Sequence, residues 1–133
     1  MILKRDDYAL PVSDSMWQLI EDVSKKSNGN ISNGFVVSFR DTSYSVERGG
    51  YHPVEMALDH DGHLLYITDF SYVGIEPYAE LSKELDFDFS MGLFQHLDVD
   101  YPIKEGVEIY SIWEGSFLSY HSMGVYQVMV KEF

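Results

Sequence analysis

A chain of 133 residues, 45% of them hydrophobic, is long enough to bury a core and too short for two ordinary domains, so we expect residues 1–133 to form a single domain. The absence of cysteine excludes disulfides, thiolate catalysis and cysteine-based zinc sites. The formal net charge of −13, from 22 acidic and 9 basic residues, leaves too few Lys and Arg side chains for direct binding to nucleic acid phosphates.

The beginning of the chain predicts a cytoplasmic protein. Residues 1–7 become acidic where a secretory signal would become apolar. No apolar run approaches the roughly 20 residues that a membrane-spanning helix needs. The acidic charge has two interpretations that the sequence leaves open: a surface that keeps molecules apart, and a surface that binds a basic partner.

Residues 13–27 are predicted to form a helix with one apolar stripe. Ser13 is the expected N-cap, and Asn28-Gly29 is the expected left-handed stop. The stripe consists of Met16, Leu19, Ile20 and Val23.

A strand is predicted next, because Phe35, Val37 and Phe39 recur at every second position. Residues 41–50 are polar and end in glycine, which predicts a loop between this strand and the following hairpin.

Residues 49–74 predict a β-hairpin with its turn at Asp61-Gly62, the usual central pair of a type I′ turn. This turn would place His60 opposite His63. The pairs that follow are Leu58 with Leu65, Met56 with Ile67, Ala57 with Tyr66, and Glu55 with Thr68. The first two pairs make one face apolar, so the hairpin is expected to form one wall of the core.

The pattern is weaker over residues 77–97, where only the alternation of Leu85, Phe87 and Phe89 predicts a strand. Residues 96–105 are polar and contain a proline, which predicts a loop.

Residues 107–123 are predicted to form a second helix, because most of their large apolar side chains fall within an arc of roughly 160°. Glu114 lies in the remaining, polar arc. Gly124 is expected to end the helix, and residues 125–130 are predicted to form a last strand. The apolar arc contains Ile109, Tyr110, Ile112, Trp113, Phe117, Tyr120 and Met123.

Together these elements predict the α+β class. In chain order we expect an N-terminal helix, a mostly antiparallel twisted sheet of about five or more strands with a central Asp-Gly hairpin, a second helix and a C-terminal strand.

One group of metal-ligating side chains is predicted at the hairpin turn, where His60 and His63 would flank Asp61, with Asp59 adjacent. It lacks the spacing of a calcium-binding EF-hand loop and of the HExxH motif of zinc hydrolases. We therefore interpret it as a polar hairpin tip, and we expect neither a metal ion nor another cofactor.

His52, Glu55 and Asp69 are the residues of an alternative hypothesis, a small enzyme, because they could supply general acid–base groups. The predicted register places Glu55 beside Thr68 on one face of the hairpin and Asp69 on the other. Without a bulge the three side chains would not converge, so no catalytic residue is assigned.

Ten Tyr and eight Phe residues are many for this length, and core packing accounts for most of them. Tyr44, Tyr51 and Tyr72 are exceptions, because they lie near glycines in predicted loop or hairpin-base positions. Tyr side chains are enriched at protein interfaces. The candidate binding surface consists of Arg40, Tyr44, Tyr51, His52, Glu55 and Tyr72.

Several segments of the chain resemble the short conserved hypothetical proteins of unknown function found in genomic islands of gammaproteobacteria. The segments are FRDTSYSVERGGYHPVE, YITDFSYVG, ELDFDF and GVYQVMV, and the resemblance covers most of the chain from Phe39 onward. It transfers no catalytic or binding residue. It implies a distant similarity in fold to the acidic mitochondrial matrix glycoproteins that form ring-shaped trimers and bind complement. Those proteins carry long helices at their chain ends, whereas this chain ends in a predicted strand.

The function expected from these features is non-enzymatic: an acidic cytoplasmic protein of a bacterial mobile island that acts through protein–protein interaction. The expected partner is a protein, either a basic protein or a second copy of the chain, and we expect no direct binding to nucleic acid or to a membrane. Two alternatives stay open. One is an acidic nucleic acid mimic that occupies a basic DNA-binding protein, and the other is the small enzyme that uses His52, Glu55 and Asp69.

Overall fold

Two helices and one sheet make up the regular structure of the described residues, 1–27 and 31–133 of the computed structural model. The helices are α1 (Asp14–Lys26) and α2 (Val107–Ser122), and a short 3-10 helix (Ile103–Gly106) directly precedes α2. The strands are β1 (Gly34–Arg40), β2 (Val54–Asp59), β3 (Leu64–Val73), β4 (Glu80–Asp88), β5 (Leu93–His96), β6 (Val99–Pro102) and β7 (Gln127–Glu132). They form one antiparallel sheet in the order β6-β5-β4-β3-β2-β1-β7. This architecture confirms the predicted α+β class.

The core lies between one face of the sheet and the two helices. Phe35, Val37 and Phe39 of β1 are fully buried, which confirms the alternation predicted for this strand. α2 contributes Phe117, whose ring meets that of Phe39 edge to face with centroids 5.0 Å apart. α1 contributes Trp17, which is also buried. The sheet therefore has a core face and an opposite face that neither helix covers.

The first helix begins as predicted at Ser13, whose hydroxyl accepts the backbone N–H of Met16 at 3.2 Å. Met16 and Ile20 of the predicted stripe are fully buried. The last helical residue is Lys26, and the predicted stop at Asn28-Gly29 lies outside the described residues. Neither helix of the described ranges is long and apolar enough to cross a membrane.

The central hairpin forms, but its turn is not type I′. Gly62 has a φ of +86°, whereas Asp61 is not in the positive-φ region, and a type I′ turn needs positive φ at both positions. Asp59, not His60, lies opposite His63: its N–H donates to the His63 carbonyl at 3.0 Å, and its carbonyl accepts the Gly62 N–H at 3.0 Å. The loop therefore has three residues and ends in a left-handed glycine, as in a type I turn with a G1 bulge.

A β-bulge in β3 restores the predicted register. Leu58 pairs with Leu64 rather than with Leu65, while Ala57 pairs with Tyr66 as predicted. Leu65 is the extra residue, so one additional turn residue is offset by one additional strand residue. The other predicted pairs, Met56 with Ile67 and Glu55 with Thr68, are present.

The prediction of a loop over residues 96–105 is wrong. Val99–Pro102 forms an edge strand paired with β5, and the 3-10 helix follows it. The turn before this strand consists of Leu97 and Asp98, with φ of +49° and +68°, which is what a two-residue type I′ turn requires. Pro102 is tolerated because it ends an edge strand, where its missing N–H breaks no central ladder.

Two predicted strands are present with different limits. The strand predicted around Leu85 and Phe87 is β4, which begins earlier, at Glu80. The last predicted strand, residues 125–130, is observed at Gln127–Glu132. Gly124 ends α2 as predicted, with a φ of +77°.

The second helix is confirmed, but its buried face differs from the predicted arc. Ile112 belongs to that arc and is 73% exposed, and Met123 is exposed as well, whereas Glu114 is only 7% exposed. Glu114 can be buried because its carboxylate accepts hydrogen bonds from the Tyr110 hydroxyl and from the backbone N–H of Ser13. The buried carboxylate thus ties α2 to the start of α1.

Candidate functional site

The loop between β1 and β2 folds back onto the end of β3. The Tyr44 hydroxyl accepts the Tyr72 backbone N–H at 3.1 Å, and the two rings stack with centroids 5.1 Å apart. The Tyr51 N–H donates to the Asp41 carboxylate at 3.0 Å, which holds the second half of the loop. The His52 imidazole lies next to the Tyr44 ring, with centroids 5.5 Å apart. Four of the predicted surface residues therefore lie in one region.

A cleft of about 280 Å³ opens between this loop and α2. Its walls are mostly aromatic, and the Tyr51 ring packs against that of Tyr120 with centroids 4.6 Å apart. Burial raises the pKa of Tyr126, so this hydroxyl stays neutral at physiological pH. The cleft is lined by Gly50, Tyr51, His52, Asp69, Trp113, Ser116, Phe117, Tyr120 and Tyr126.

Three polar side chains from separate segments converge beside the cleft, and we call His52, Asp69 and Glu84 the His52 cluster. The His52 Nδ1 atom lies 2.8 Å from the Asp69 Oδ1 atom and 3.1 Å from the Glu84 Oε2 atom. The Trp113 indole N–H donates to the other Asp69 oxygen at 2.9 Å. His52 and Asp69, two of the three residues of the small-enzyme hypothesis, are therefore in contact.

The His52 imidazole is charged more readily than usual in this setting. Its hydrogen bond with Asp69 raises the pKa of His52, and the charges of Asp69 and Glu84 act in the same direction, while burial opposes them. The imidazolium form is favoured because it places a positive charge between two carboxylates.

A second β-bulge explains how Glu84 reaches His52. Asp69 pairs with Leu85, but the next residue of β3 pairs with Lys83, so Glu84 is the extra residue of β4. A bulge redirects a side chain that would otherwise alternate to the opposite face. The sequence pattern of β4 contains no signal for this bulge, and Glu84 was therefore absent from the predicted site.

Glu55 and Arg40 lie on the opposite face of the sheet. The Tyr66 hydroxyl donates to the Glu55 carboxylate at 2.6 Å, and burial together with that bond raises the pKa of Tyr66. Glu55 and Arg40 border a cavity of about 110 Å³, which is lined by Ser38, Arg40, Pro53, Val54, Glu55, Phe70 and Leu81. Glu55 does not join His52, as the predicted register implied, whereas Tyr72 lies on the same face as Glu55, because it pairs with Leu81 of this cavity.

The tip of the central hairpin carries the other group of metal-ligating side chains. Asp59, Asp61 and His63 offer ligand atoms within 4.8 Å of one another. One Asp59 oxygen already accepts the backbone N–H groups of Asp61 and His63, each at 2.9 Å. His60 is exposed and lies 3.4 Å from the Asp61 carboxylate. This geometry is that of a polar turn.

Comparison with known proteins places the chain among proteins without an assigned function. Residues 14–131 match a family model described as a protein of unknown function, DUF2787. The comparison with curated proteins found no match.

Two solved structures are similar over nearly the whole chain. One is the hypothetical protein VC0508 from the Vibrio cholerae VSP-II pathogenicity island, with 35% identity, a TM-score of 0.83, and coverage of 96% of this chain and 99% of that chain. The other is the conserved hypothetical protein VC1805 from pathogenicity island VPI-2 of Vibrio cholerae, with 34% identity, a TM-score of 0.82, and coverage of 95% and 98%. VC1805 is described as sharing structural homology with the human P32 protein.

These similarities confirm the resemblance to hypothetical proteins of bacterial genomic islands, since both structural relatives come from pathogenicity islands. The family match spans α1 to β7 and so includes every residue of the cleft and of the His52 cluster. The chain belongs to the DUF2787 family of proteins of unknown function.

Proposed function

We propose that this protein is a non-enzymatic binding protein of the cytoplasm and that its partner is a basic protein. The observation that carries the proposal is a group of exposed and half-exposed apolar side chains at one end of the sheet. We call this group the hairpin surface, and it consists of Tyr44, Tyr72, Val73, Ile75, Tyr78 and Leu81.

The turn between β3 and β4 presents large apolar side chains to solvent. Ile75 is 82% exposed and Tyr78 is 84% exposed. Val73 and Leu81, at the adjoining strand ends, are exposed as well. Grouped apolar side chains of this kind mark interaction sites more often than isolated ones do, and Tyr is enriched in protein interfaces. The turn is therefore suited to contact another protein.

The stacked rings of Tyr44 and Tyr72 connect this turn to the loop between β1 and β2. Tyr72 pairs with Leu81 across the β3–β4 ladder, so these two side chains lie on one face of the sheet beside the Tyr44 ring, while Val73, the next residue of β3, points to the other face. The hydrogen bond from the Tyr72 N–H fixes the Tyr44 ring in place. A side chain that is already ordered loses little conformational entropy when a partner binds.

Acidic side chains accompany the hairpin surface. Glu76 lies in the same turn as Ile75 and Tyr78, Glu80 is the first residue of β4 after that turn, and the whole chain carries a net charge of −13. Complementary charge speeds the encounter with a partner and disfavours partners of like charge. A basic protein therefore fits this surface better than an acidic one, and a basic DNA-binding protein is one such partner.

The test measures the affinity of wild type and variants for a partner captured from the native host and then purified. The double variant Ile75→Ser, Tyr78→Ser removes the two most exposed side chains of the hairpin surface. Ile112→Ser is a matched control, because Ile112 is 73% exposed but lies on α2. We expect the double variant to weaken binding by at least about tenfold and the control to leave it unchanged.

The contribution of charge is tested by adding salt. The Debye length falls from roughly 14 to 4 Å between about 0.05 and 0.5 M, so affinity for a basic partner should fall steeply over this range. Glu76→Gln with Glu80→Gln should make the decrease shallower.

Competition by DNA for the partner would support the nucleic acid mimic. Binding that changes neither with salt nor in the Ile75 and Tyr78 variant would contradict the proposal, and a substrate turnover lost in His52→Gln would support the small enzyme instead.

A further inference from the structure

Three metal-ligating side chains meet beside the aromatic cleft, although the sequence predicts no metal site. We propose that His52, Asp69 and Glu84 bind a divalent first-row transition metal ion. The proposed ion site does not rest on the proposed partner, because none of the three ligands belongs to the hairpin surface.

The distances within the His52 cluster fit metal coordination. All three ligand atoms lie within 4.8 Å of one another. The Nδ1 atom of His52 is 2.8 Å from the Asp69 oxygen and 3.1 Å from the Glu84 oxygen. Ligands held at about 2.1 Å from one ion are roughly 3.0 Å apart at right angles and roughly 3.4 Å apart at the tetrahedral angle. The side chains would therefore need only small adjustments to coordinate an ion.

A single hydrogen bond does not account for both close approaches to His52. The Nδ1 atom carries at most one proton, yet carboxylate oxygens of both Asp69 and Glu84 approach it, at 2.8 and 3.1 Å. One N–H group cannot point at two oxygens with good geometry, because a hydrogen bond weakens steeply as its angle falls. A divalent ion in place of that proton would attract both carboxylates at once and balance their charge.

Neighbouring side chains hold the ligands in position. The Trp113 indole N–H donates to Asp69 Oδ2, which leaves Oδ1 directed at His52. Hydrogen bonds of this kind orient ligands in known metal sites. The Tyr44 ring packs against the His52 imidazole and limits its rotation. The site is thus organised before an ion binds.

The ligand set and its exposure indicate the class of ion. The Asp69 side chain is buried, while the side chains of His52 and Glu84 are 35% and 34% exposed, so an ion can enter and keep further coordination positions for water. One imidazole and two carboxylates suit Zn²⁺, Mn²⁺ or Fe²⁺, and the chain has no thiolate to select softer ions.

Calorimetric titration of chelator-treated protein with Zn²⁺ tests the proposal, and we expect one ion per chain. His52→Gln and Glu84→Gln should each lower the affinity at least about tenfold. Trp113→Phe keeps an aromatic ring and removes the N–H, and it should lower the affinity by about 10- to 100-fold. Asp61→Asn is the matched control, because it removes a carboxylate from the metal-ligating group at the hairpin tip.

Wild-type protein supplies a second measurement that does not depend on the folding of any variant. The chain has two tryptophans, so its NMR spectrum contains two indole N–H signals. Zn²⁺ should shift the Trp113 signal and leave that of Trp17 in place. Absence of heat and of any shift up to about 1 mM Zn²⁺ and Mn²⁺ would overturn the proposal. An affinity lost in Asp61→Asn but kept in Glu84→Gln would overturn it as well.

Discussion

Substitution of Gly62 by alanine tests the geometry of the central hairpin most directly. Gly62 has a φ of +86°, and a Cβ atom built on it would lie 2.2 Å from the Ile2 carbonyl oxygen and 3.2 Å from the Cα atom of Leu3. The Gly62 carbonyl accepts the backbone N–H of Lys4 at 2.9 Å. An added methyl group would therefore strain the turn and also push the N-terminal segment away from it.

The expected loss of stability combines two costs. A residue other than glycine in the left-handed region costs about 1 to 2 kcal/mol. Real Cβ contacts are not shorter than 3.0 Å, so the Ile2 backbone must move from 2.2 Å, and this movement would break the hydrogen bond between Lys4 and Gly62. That bond contributes about 1 kcal/mol. We expect Gly62→Ala to lower the free energy of unfolding by about 2 to 3 kcal/mol.

Urea denaturation of two variants separates these costs. Gly92 has a φ of +68° and no atom within 4 Å of its added Cβ, so Gly92→Ala is a matched control for the turn strain alone. It should cost about 1 to 2 kcal/mol. A Gly62→Ala variant that loses no more stability than Gly92→Ala would refute the contact with the N-terminal segment.

Two further predictions concern ionisable groups on α2, the buried Glu114 and the half-buried His121. Glu114→Gln should lower the free energy of unfolding, measured by urea denaturation, by about 1 to 3 kcal/mol, because the two hydrogen bonds to the buried carboxylate weaken. The control Glu108→Gln, on the exposed side of α2, should change it by less than about 0.5 kcal/mol. Burial, and then the charge of Lys26, lower the pKa of His121, which shares a cavity with Asp22 and Lys26. As the pH falls, the His121 side chain of the unfolded chain is therefore protonated before that of the folded chain, so the stability of the fold should decrease below about pH 6.5. His121→Gln should make this decrease shallower, as measured by thermal unfolding between about pH 5 and 7. An unchanged slope would contradict the assignment.

The central hairpin shows why a register can be predicted even when its turn is not. The apolar alternation of the two strands predicts that Met56 and Ile67 share the core face, and the two residues are indeed paired and fully buried. Asp61-Gly62 suits several turn types, because only the glycine must be left-handed in a three-residue loop. By itself, the extra turn residue would place the apolar side chains of β3 on the face of the sheet opposite the core. The bulge at Leu65 returns them to the core face. Burial of one face thus determines the pairing, and the turn adapts to it.

The C-terminal half shows where sequence patterns fail. Leu97 takes a left-handed conformation that leucine adopts rarely, so no turn signal marks the hairpin between β5 and β6. The helical period of residues 107–123 is correct, but the hydrophobic pattern treats Glu114 as a solvent-facing residue. Its burial depends on the Tyr110 hydroxyl and the Ser13 N–H, and the latter lies 101 positions away. A hydrophobic pattern that is read over residues 107–123 contains no information about a partner so distant in the sequence.

The His52 cluster was predictable only in part for the same reason. His52 and Asp69 are recognisable as polar residues at the base of one hairpin, and a bulge is the condition under which they could converge with Glu55. The bulge that shapes the cluster is not the one at Leu65 within the hairpin but the one between β3 and β4, and it brings in Glu84 instead of Glu55. The identity of the third side chain is therefore a consequence of tertiary strand pairing.

The two proposals concern the same end of the sheet but depend on different atoms. His52 connects them, because its Nδ1 atom faces the two carboxylates while its ring packs on Tyr44, which in turn stacks on Tyr72. A change at His52 would therefore disturb both. Ile75 and Glu84 do not share this ambiguity, since the first lies in the exposed turn and the second is a proposed ligand. Partner binding that survives Glu84→Gln, together with ion binding that survives Ile75→Ser, would establish that the two sites act separately.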